Sequence, residues 1–134
     1  MLNKYEAMVL SCMDPRFQKP IHKYLDKKKL TGKFSAFTIA GGSIGVTNKK
    51  FKKWHSTFWE NLETSINLHK IKKLIVINHK DCGAAKITNG NKKFTSSIEN
   101  KIHKNSFNEL KKNLNKKFPR IKVYFKVLSI KNAT

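Results

Sequence analysis

Short apolar runs alternate along the chain with longer segments of helical periodicity. The runs are rich in β-branched and aromatic residues and are bounded by turn-forming residues, which is typical of buried strands. They cover Tyr5–Ser11, Phe34–Ala40, Leu74–Asn78 and Ile121–Leu128. Between them, apolar residues recur at three- and four-residue spacing, which predicts amphipathic helices. These helices cover about 19–30, Phe51–His69 and Ile98–Phe118.

Strands that alternate with helices predict a parallel sheet, because each parallel connection needs a crossover that covers one face of the sheet. The predicted fold class is α/β: a three-layer domain with a central, mostly parallel sheet of about four strands flanked by helices. The length of 134 residues fits a single domain over 1–134 and excludes a two-domain enzyme.

The formal net charge of +21 favours a polyanion partner, such as nucleic acid or an acidic membrane surface. However, 27 of the 29 cationic residues are lysine and are mixed with 13 asparagines, as an AT-rich coding bias would produce. Proteins that read nucleic acid use arginine for bidentate and stacking contacts. We therefore interpret the charge as a solvated surface, with non-specific polyanion binding as the alternative.

No segment approaches the roughly 18 apolar residues that cross a bilayer, and the apolar run after Met1 is too short for a secretory signal. The sequence thus predicts a cytoplasmic protein with no membrane partner. Its two cysteines, Cys12 and Cys82, lie far apart in the chain, so metal binding or thiol reactivity is favoured over a disulfide.

Two thiols and one imidazole follow the first and third predicted strands: Cys12 after the first, and His79 and Cys82 after the third. This ligand set suits zinc and leaves one tetrahedral position open, as catalysis requires. The long separation suits ligands that neighbouring parallel strands bring together at their carboxyl ends. The structural alternative is a pair of buried cysteines at strand ends.

An acidic and a basic residue, Asp14 and Arg16, stand two positions apart beyond Cys12. This spacing predicts a charge-assisted bidentate ion pair. The pair would hold Asp14 as a hydrogen-bond acceptor near the metal, or release it as a fourth ligand. An ion pair that only stabilises the loop is the third interpretation.

Two further sets of residues are interpreted without a catalytic role. The glycines that follow the second strand do not match a G-x-x-x-x-G-K-[ST] motif, so nucleotide binding is not favoured. The other histidines lack cysteine or carboxylate neighbours at ligand spacing and are predicted as surface or helix-face residues. They are His22, His55, His69 and His103.

The combination of C-x-D-x-R, an Ala40-Gly41-Gly42 segment and H-x-x-C-G resembles the β-class carbonic anhydrases. The resemblance extends from Val9 to about Lys86, and more loosely through the last strand. It implies the sheet order 2-1-3-4, Zn²⁺ as cofactor and a homodimer or higher homo-oligomer. It also implies that Cys12, His79 and Cys82 are the zinc ligands. Asp14 and Arg16 are then the catalytic dyad.

The activity that this resemblance implies is reversible hydration of carbon dioxide to bicarbonate through a zinc-bound hydroxide. The family usually has Arg-Asn before its Ala-Gly segment and an Asp soon after it. Because this chain has Thr38-Ile39 and Ser43-Ile44 there, we expect less polar support near the site. The candidates for an apolar substrate pocket are Ile39, Gly41, Gly42, Ile44 and Val46.

Two alternatives stay open for the function. The same zinc chemistry would serve hydrolysis of another linear molecule, carbonyl sulfide or carbon disulfide. The chain would otherwise be a non-catalytic basic module that binds nucleic acid or anionic surfaces.

Overall fold

Four strands and five α-helices make up the part of the chain that the computed structural model describes, residues 4–130. The strands are β1 (Ala7–Ser11), β2 (Phe34–Thr38), β3 (Lys73–His79) and β4 (Lys122–Leu128). The helices are α1 (Gln18–Lys27), α2 (Ser43–Thr47), α3 (Lys52–His69), α4 (Gly83–Asn89) and α5 (Ser96–Lys117). Single 3₁₀ turns, Pro15–Phe17 and Lys49–Phe51, precede α1 and α3.

The strands form one parallel sheet in the order β2-β1-β3-β4, which confirms the predicted fold class and sheet order. The chain leaves β1 towards β2 on one side and returns to place β3 on the other. Ser11 at the end of β1 pairs with Ile77 of β3, two residues before that strand ends. The carboxyl ends of β1 and β3 therefore lie side by side where the strand order reverses, the usual ligand position in such sheets.

The two central strands are buried on both faces because helices cover the sheet on each side. Successive side chains of a strand point to opposite faces, so alternate residues enter different cores. On one face, Met8 and Leu10 pack with Phe58 and Leu62 of α3 and with Leu110 and Leu114 of α5. On the other face, Ala7 and Val9 pack with Phe17 and with Ile21 and Leu25 of α1.

The helices differ from the sequence prediction mainly in two short elements. α2 and α4 occupy segments for which the sequence predicted no helix, because five and seven residues are too few to show a repeated apolar spacing. The helix predicted over about 19–30 begins at Gln18 and ends at Lys27. Within residues 4–130, no helix is both long enough and apolar enough to cross a membrane.

Candidate metal centre

Three potential ligand atoms converge at the carboxyl ends of β1 and β3. Sγ of Cys12, an imidazole nitrogen of His79 and Sγ of Cys82 lie within 4.8 Å of one another. All three residues are buried, with exposed fractions of 5%, 1% and 2%. Cys12 follows β1 directly, His79 ends β3, and Cys82 follows three positions after His79, so the sheet topology places the cluster. The convergence that the sequence predicted for these residues is therefore present.

The imidazole of His79 is oriented with one nitrogen towards the sulfurs. Nδ1 donates a hydrogen bond to the backbone carbonyl of Lys80 at 2.8 Å, so Nε2 carries the lone pair of the neutral ring. Nε2 is buried and has no hydrogen-bond partner. Phe17 stacks on the ring at a centroid distance of 4.1 Å and limits its rotation. A buried, unpartnered nitrogen of this kind costs free energy unless a ligand occupies the space beside it.

The two thiols are electrostatically coupled. Hydrogen bonding from the Cys82 thiol is the main cause that lowers the pKa of Cys12 in spite of its burial; the neighbouring His79 imidazole and the backbone N–H of Gly41, 3.3 Å from Sγ, lower it further. The hydrogen bond to Cys12 and burial raise the pKa of Cys82. One proton therefore stays between the sulfurs when no cation is near, because two adjacent thiolates repel each other. A divalent cation removes that penalty, since it neutralises both thiolates.

The cluster fits a metal ion in donor type, spacing and support. The ligand atoms of a tetrahedral zinc lie roughly 3.5–3.8 Å apart, given metal–ligand bonds of about 2.0–2.3 Å. The atoms of the cluster lie within 4.8 Å of one another, so an inward movement of about 1 Å or less brings them to this spacing. Two sulfurs and one nitrogen are the donors that a borderline-soft divalent ion prefers. The Nδ1 hydrogen bond of His79 is the outer contact that metal-bound histidines commonly make.

Asp14 and Arg16 form the predicted ion pair beside this cluster. A terminal nitrogen of Arg16 donates to Oδ2 of Asp14 at 2.7 Å, and Nε lies 3.2 Å from Oδ1. This pairing lowers the pKa of Asp14. Oδ2 also lies 3.8 Å from Nε2 of His79, so the carboxylate borders the candidate metal position. The same guanidinium donates to the side chain and backbone carbonyl of Asp81, each at 3.0 Å, and thereby joins the two motif loops.

The glycine segment passes directly behind the cluster. A Cβ on Gly42 would lie 2.7 Å from Oδ1 of Asn78, and one on Gly41 would lie 2.8 Å from Cβ of Ala84. Only glycine allows the backbone to approach this closely and donate to Cys12.

The apolar residues proposed for the substrate pocket lie in different surroundings. Ile44 packs with Cys12 and Cys82 and also lines a cleft of about 480 Å³ near α2, α4 and α5. Val46 belongs to the core beneath the sheet, and Ile39 packs partly buried against that core. Of these three, Ile44 is the side chain that contacts the ligand cluster.

Sequence reasoning missed a polar network on α5 behind the ligands. His103 was predicted as a surface or helix-face residue. It lies on α5, but the prediction of a surface position was wrong, because it is 2% exposed and forms hydrogen bonds with Glu99 and Asn78. Burial lowers the pKa of His103. Nδ1 accepts from the Asn78 amide at 2.8 Å, and Nε2 donates to Glu99 at 3.1 Å. Polar support near the site is therefore present, through other residues than those of the family pattern.

The helical spacing in the sequence is compatible with this network but does not single it out. The buried stripe of α5 runs through residues spaced by three and four positions, and its first members are polar rather than apolar. The stripe consists of Glu99, His103, Ser106, Leu110 and Leu114. The apolar choice, Ile98 and Ile102, lies one position away and is half-buried.

Comparisons with known proteins agree with this geometry. Residues 2–125 match a protein family described as "Putative carbonic anhydrase". The chain is 30% identical over 124 residues to uncharacterised proteins of Rickettsia bellii (strain RML369-C) and Rickettsia conorii (strain Malish 7). The match covers 92% of this chain in both cases, and 76% and 67% of those proteins.

The fold is similar to that of the β-carbonic anhydrase CafA of the fungal pathogen Aspergillus fumigatus, with a TM-score of 0.62 at 12% identity. That similarity covers 98% of this chain and 74% of CafA. The resemblance drawn from the motifs is thereby confirmed, and the chain belongs to this carbonic anhydrase family as a divergent, β-class-like member.

Proposed function

We propose that this protein is a zinc-dependent carbonic anhydrase that hydrates carbon dioxide reversibly to bicarbonate. The observation that carries the proposal is the buried cluster of Cys12, His79 and Cys82, whose ligand atoms lie within 4.8 Å and include an unpartnered Nε2. Family membership and the β-class fold support it. The donor set favours Zn²⁺ among the common divalent ions.

When bound, Zn²⁺ supplies Lewis acidity that lowers the pKa of a coordinated water to about 7. The residues of the chain hold the ion and orient its ligands. Cys12, His79 and Cys82 would hold the ion, and three protein ligands are the number typical of catalytic zinc sites. The carbonyl of Lys80 keeps His79 in the tautomer that presents Nε2.

Asp14 and Arg16 would act together as the dyad beside the candidate metal position. The guanidinium contacts both carboxylate oxygens, which holds Asp14 ionised and in one orientation. Oδ2 is placed to accept a hydrogen bond from a water entering the site, so that the lone pair of the water faces the substrate. Release of Asp14 from Arg16 would instead make the carboxylate a fourth ligand and close the site, because Oδ2 lies 3.8 Å from Nε2 of His79.

The substrate would lie against Ile44, whose apolar side chain packs with both cysteines. Carbon dioxide is small and apolar, so a wall of this kind admits it without hydrogen bonds. Ile39, Gly41, Gly42 and Val46 stay predictions as pocket residues. So do the single domain over 1–134, the homodimer or higher homo-oligomer and the cytoplasmic location.

A matched pair of histidine variants tests the proposal. His79→Asn removes a ligand, whereas His22→Asn makes the same change on an exposed face of α1. We expect about one zinc per chain and rapid carbon dioxide hydration by stopped flow for the wild type and for His22→Asn, and neither for His79→Asn. Metal-free wild-type protein, or hydration no faster than buffer, refutes the proposal. Release of sulfide from carbonyl sulfide or carbon disulfide without hydration of carbon dioxide favours the alternative substrates.

One surface favours polyanion binding as a second candidate function. Phe51 and Trp54 stack at 4.7 Å, and Trp54 is 37% exposed. Exposed lysines surround this pair at positions 49, 50, 52 and 53. Lysines with an accessible aromatic stack are typical of non-specific single-strand binding. Retention on DNA that falls steeply with salt, and falls less steeply in Trp54→Ala with Lys52→Gln, supports this candidate; no retention at physiological salt refutes it.

A further inference from the structure

Glu99 is a buried carboxylate that faces the ligand loop rather than solvent. Its exposed fraction is 3%, although it lies in the first turn of α5. Oε1 accepts from the backbone N–H of Asp81 at 2.9 Å, and Oε2 accepts from that of Cys82 at 3.0 Å. Both oxygens are thus occupied by two successive amides of the loop that carries a candidate metal ligand.

The backbone of that loop needs external support. Asp81 has a φ of +59°, a left-handed conformation that L residues adopt uncommonly. A conformation of this kind persists only where its surroundings determine it. The two hydrogen bonds from Asp81 and Cys82 to one carboxylate hold the peptide units on both sides of Asp81, and thereby the backbone that presents the Cys82 thiol.

The same carboxylate belongs to a chain of contacts that reaches the other two ligands. Nε2 of His103 donates to Oε2 of Glu99, and Nδ1 of His103 accepts from Asn78, the residue before His79. Oδ1 of Asn78 accepts from the backbone N–H of Ser43 at 3.1 Å. Ser43 continues the glycine segment whose Gly41 donates to Sγ of Cys12. One buried network therefore contacts the backbone segments that surround all three ligands.

We propose that Glu99 is a positioning residue of the metal centre. It fixes the conformation of the loop that carries Cys82 and, through His103 and Asn78, the orientation of the other ligands, and it thereby raises metal affinity. The inference rests on the metal site of the proposed function, and it requires no particular substrate. Outer contacts of this kind commonly change metal affinity by about 10- to 100-fold when they are removed.

The test is Glu99→Gln, which keeps the shape of the side chain. Glutamine has one acceptor oxygen, whereas the N–H groups of Asp81 and Cys82 each donate to a separate oxygen of Glu99. The control is Glu109→Gln, an exposed residue that carries the same charge on the same helix. Zinc affinity is measured by competition with a chelating dye, together with the thiolate-to-metal absorption of the Co²⁺ form. Urea unfolding is measured with and without metal.

We expect about 10- to 100-fold weaker zinc binding and a shifted Co²⁺ absorption for Glu99→Gln, and binding within about two-fold of wild type for Glu109→Gln. The loss of stability should be larger in the metal-loaded form than in the metal-free form. Equal losses in both forms, with unchanged affinity, would show that Glu99 only braces the fold and would overturn the proposal.

Two further outcomes separate this inference from the proposed function. If the wild type itself binds no metal, the metal centre fails and Glu99 loses its assigned role with it; if the wild type binds tightly but hydrates no carbon dioxide, only the proposed activity fails. Should Glu99→Gln not fold, His103→Gln decides, because it retains Glu99 and both amide contacts. Several-fold weaker binding there supports the proposal, and binding within about two-fold of wild type overturns it.

Discussion

Replacement of Gly42 by alanine tests how tightly the glycine segment packs behind the ligands. Gly42 has φ 55° and ψ −117°, and the N–H of Ile44 donates to the carbonyl of Gly41 at 3.0 Å. These values define a type II′ turn, which requires positive φ at its second residue. An alanine there carries about 1–3 kcal/mol of backbone strain.

The side chain of Asn78 adds a second cost at this position. The new Cβ would lie 2.7 Å from Oδ1 of Asn78, so the amide must move. That oxygen accepts from the backbone N–H and the hydroxyl of Ser43, each at 3.1 Å. Two buried hydrogen bonds at about 1 kcal/mol each place the additional loss near 2 kcal/mol.

Gly90 provides the matched control. Its φ of 69° and ψ of −139° lie close to those of Gly42, but no heavy atom lies within 4 Å of its Cβ position. Gly90→Ala therefore carries the backbone strain alone. Urea unfolding of the reduced, metal-free variants, followed by far-ultraviolet circular dichroism, gives both free energies. We expect Gly42→Ala to be less stable than Gly90→Ala by about 2 kcal/mol; a difference under about 0.5 kcal/mol refutes the packing argument.

Three other predictions concern the ligands and their neighbours. Cys82→Ser should purify without metal, and a chelator should no longer lower its melting temperature; wild-type protein at a metal concentration of about 100 Kd should lose roughly 2.7 kcal/mol on chelation. Unchanged metal content in Cys82→Ser contradicts the ligand assignment. Arg16→Lys keeps the charge but not the two-pronged contact with Asp14, so stopped-flow hydration should fall by about 100-fold with full metal content. Parallel loss of metal would show that Arg16 supports the site only structurally. His103, which faces Glu99, His79 and Lys80, has a pKa below its unfolded value near 6.5. Its stabilising contribution is complete above that pH and is lost as the pH falls, so the urea stability of the metal-free wild type should drop more between pH 7.5 and 5 than that of His103→Gln. Parallel curves for the two proteins would contradict this assignment.

Much of the candidate metal centre follows from local patterns. The apolar runs that end at Ser11 and at Asn78 are apolar on both faces, so each predicts a central parallel strand. A cysteine follows the first run, and a histidine with a cysteine follows the second. Because parallel strands end at one edge, these facts place the ligands at the same edge of the sheet, and they lie together because β1 and β3 are neighbours.

The buried polar residues that support the ligands could not be predicted from such local patterns. Glu99 and His103 are ordinary helix-surface residues by composition, and only the rotation of α5 about its axis turns them inwards. That rotation depends on contacts with distant segments, among them Ser106 with Ser43 at 2.7 Å and Leu110 and Leu114 with the sheet. The sequence likewise does not identify Asp81 as a residue of the site, because its contact with Arg16 joins two loops 65 positions apart.

The sequence by itself determined the strands, their parallel arrangement and the chemical types of the candidate ligands, since these depend on periodicity, strand ends and side-chain chemistry within short segments. The strand order 2-1-3-4 was implied by the family resemblance and not by these patterns. Only the tertiary structure decided which polar residues enter the interior. A buried carboxylate or imidazole is stable only where partners from elsewhere in the chain satisfy its hydrogen bonds, and such partners are defined when the helices have packed against the sheet.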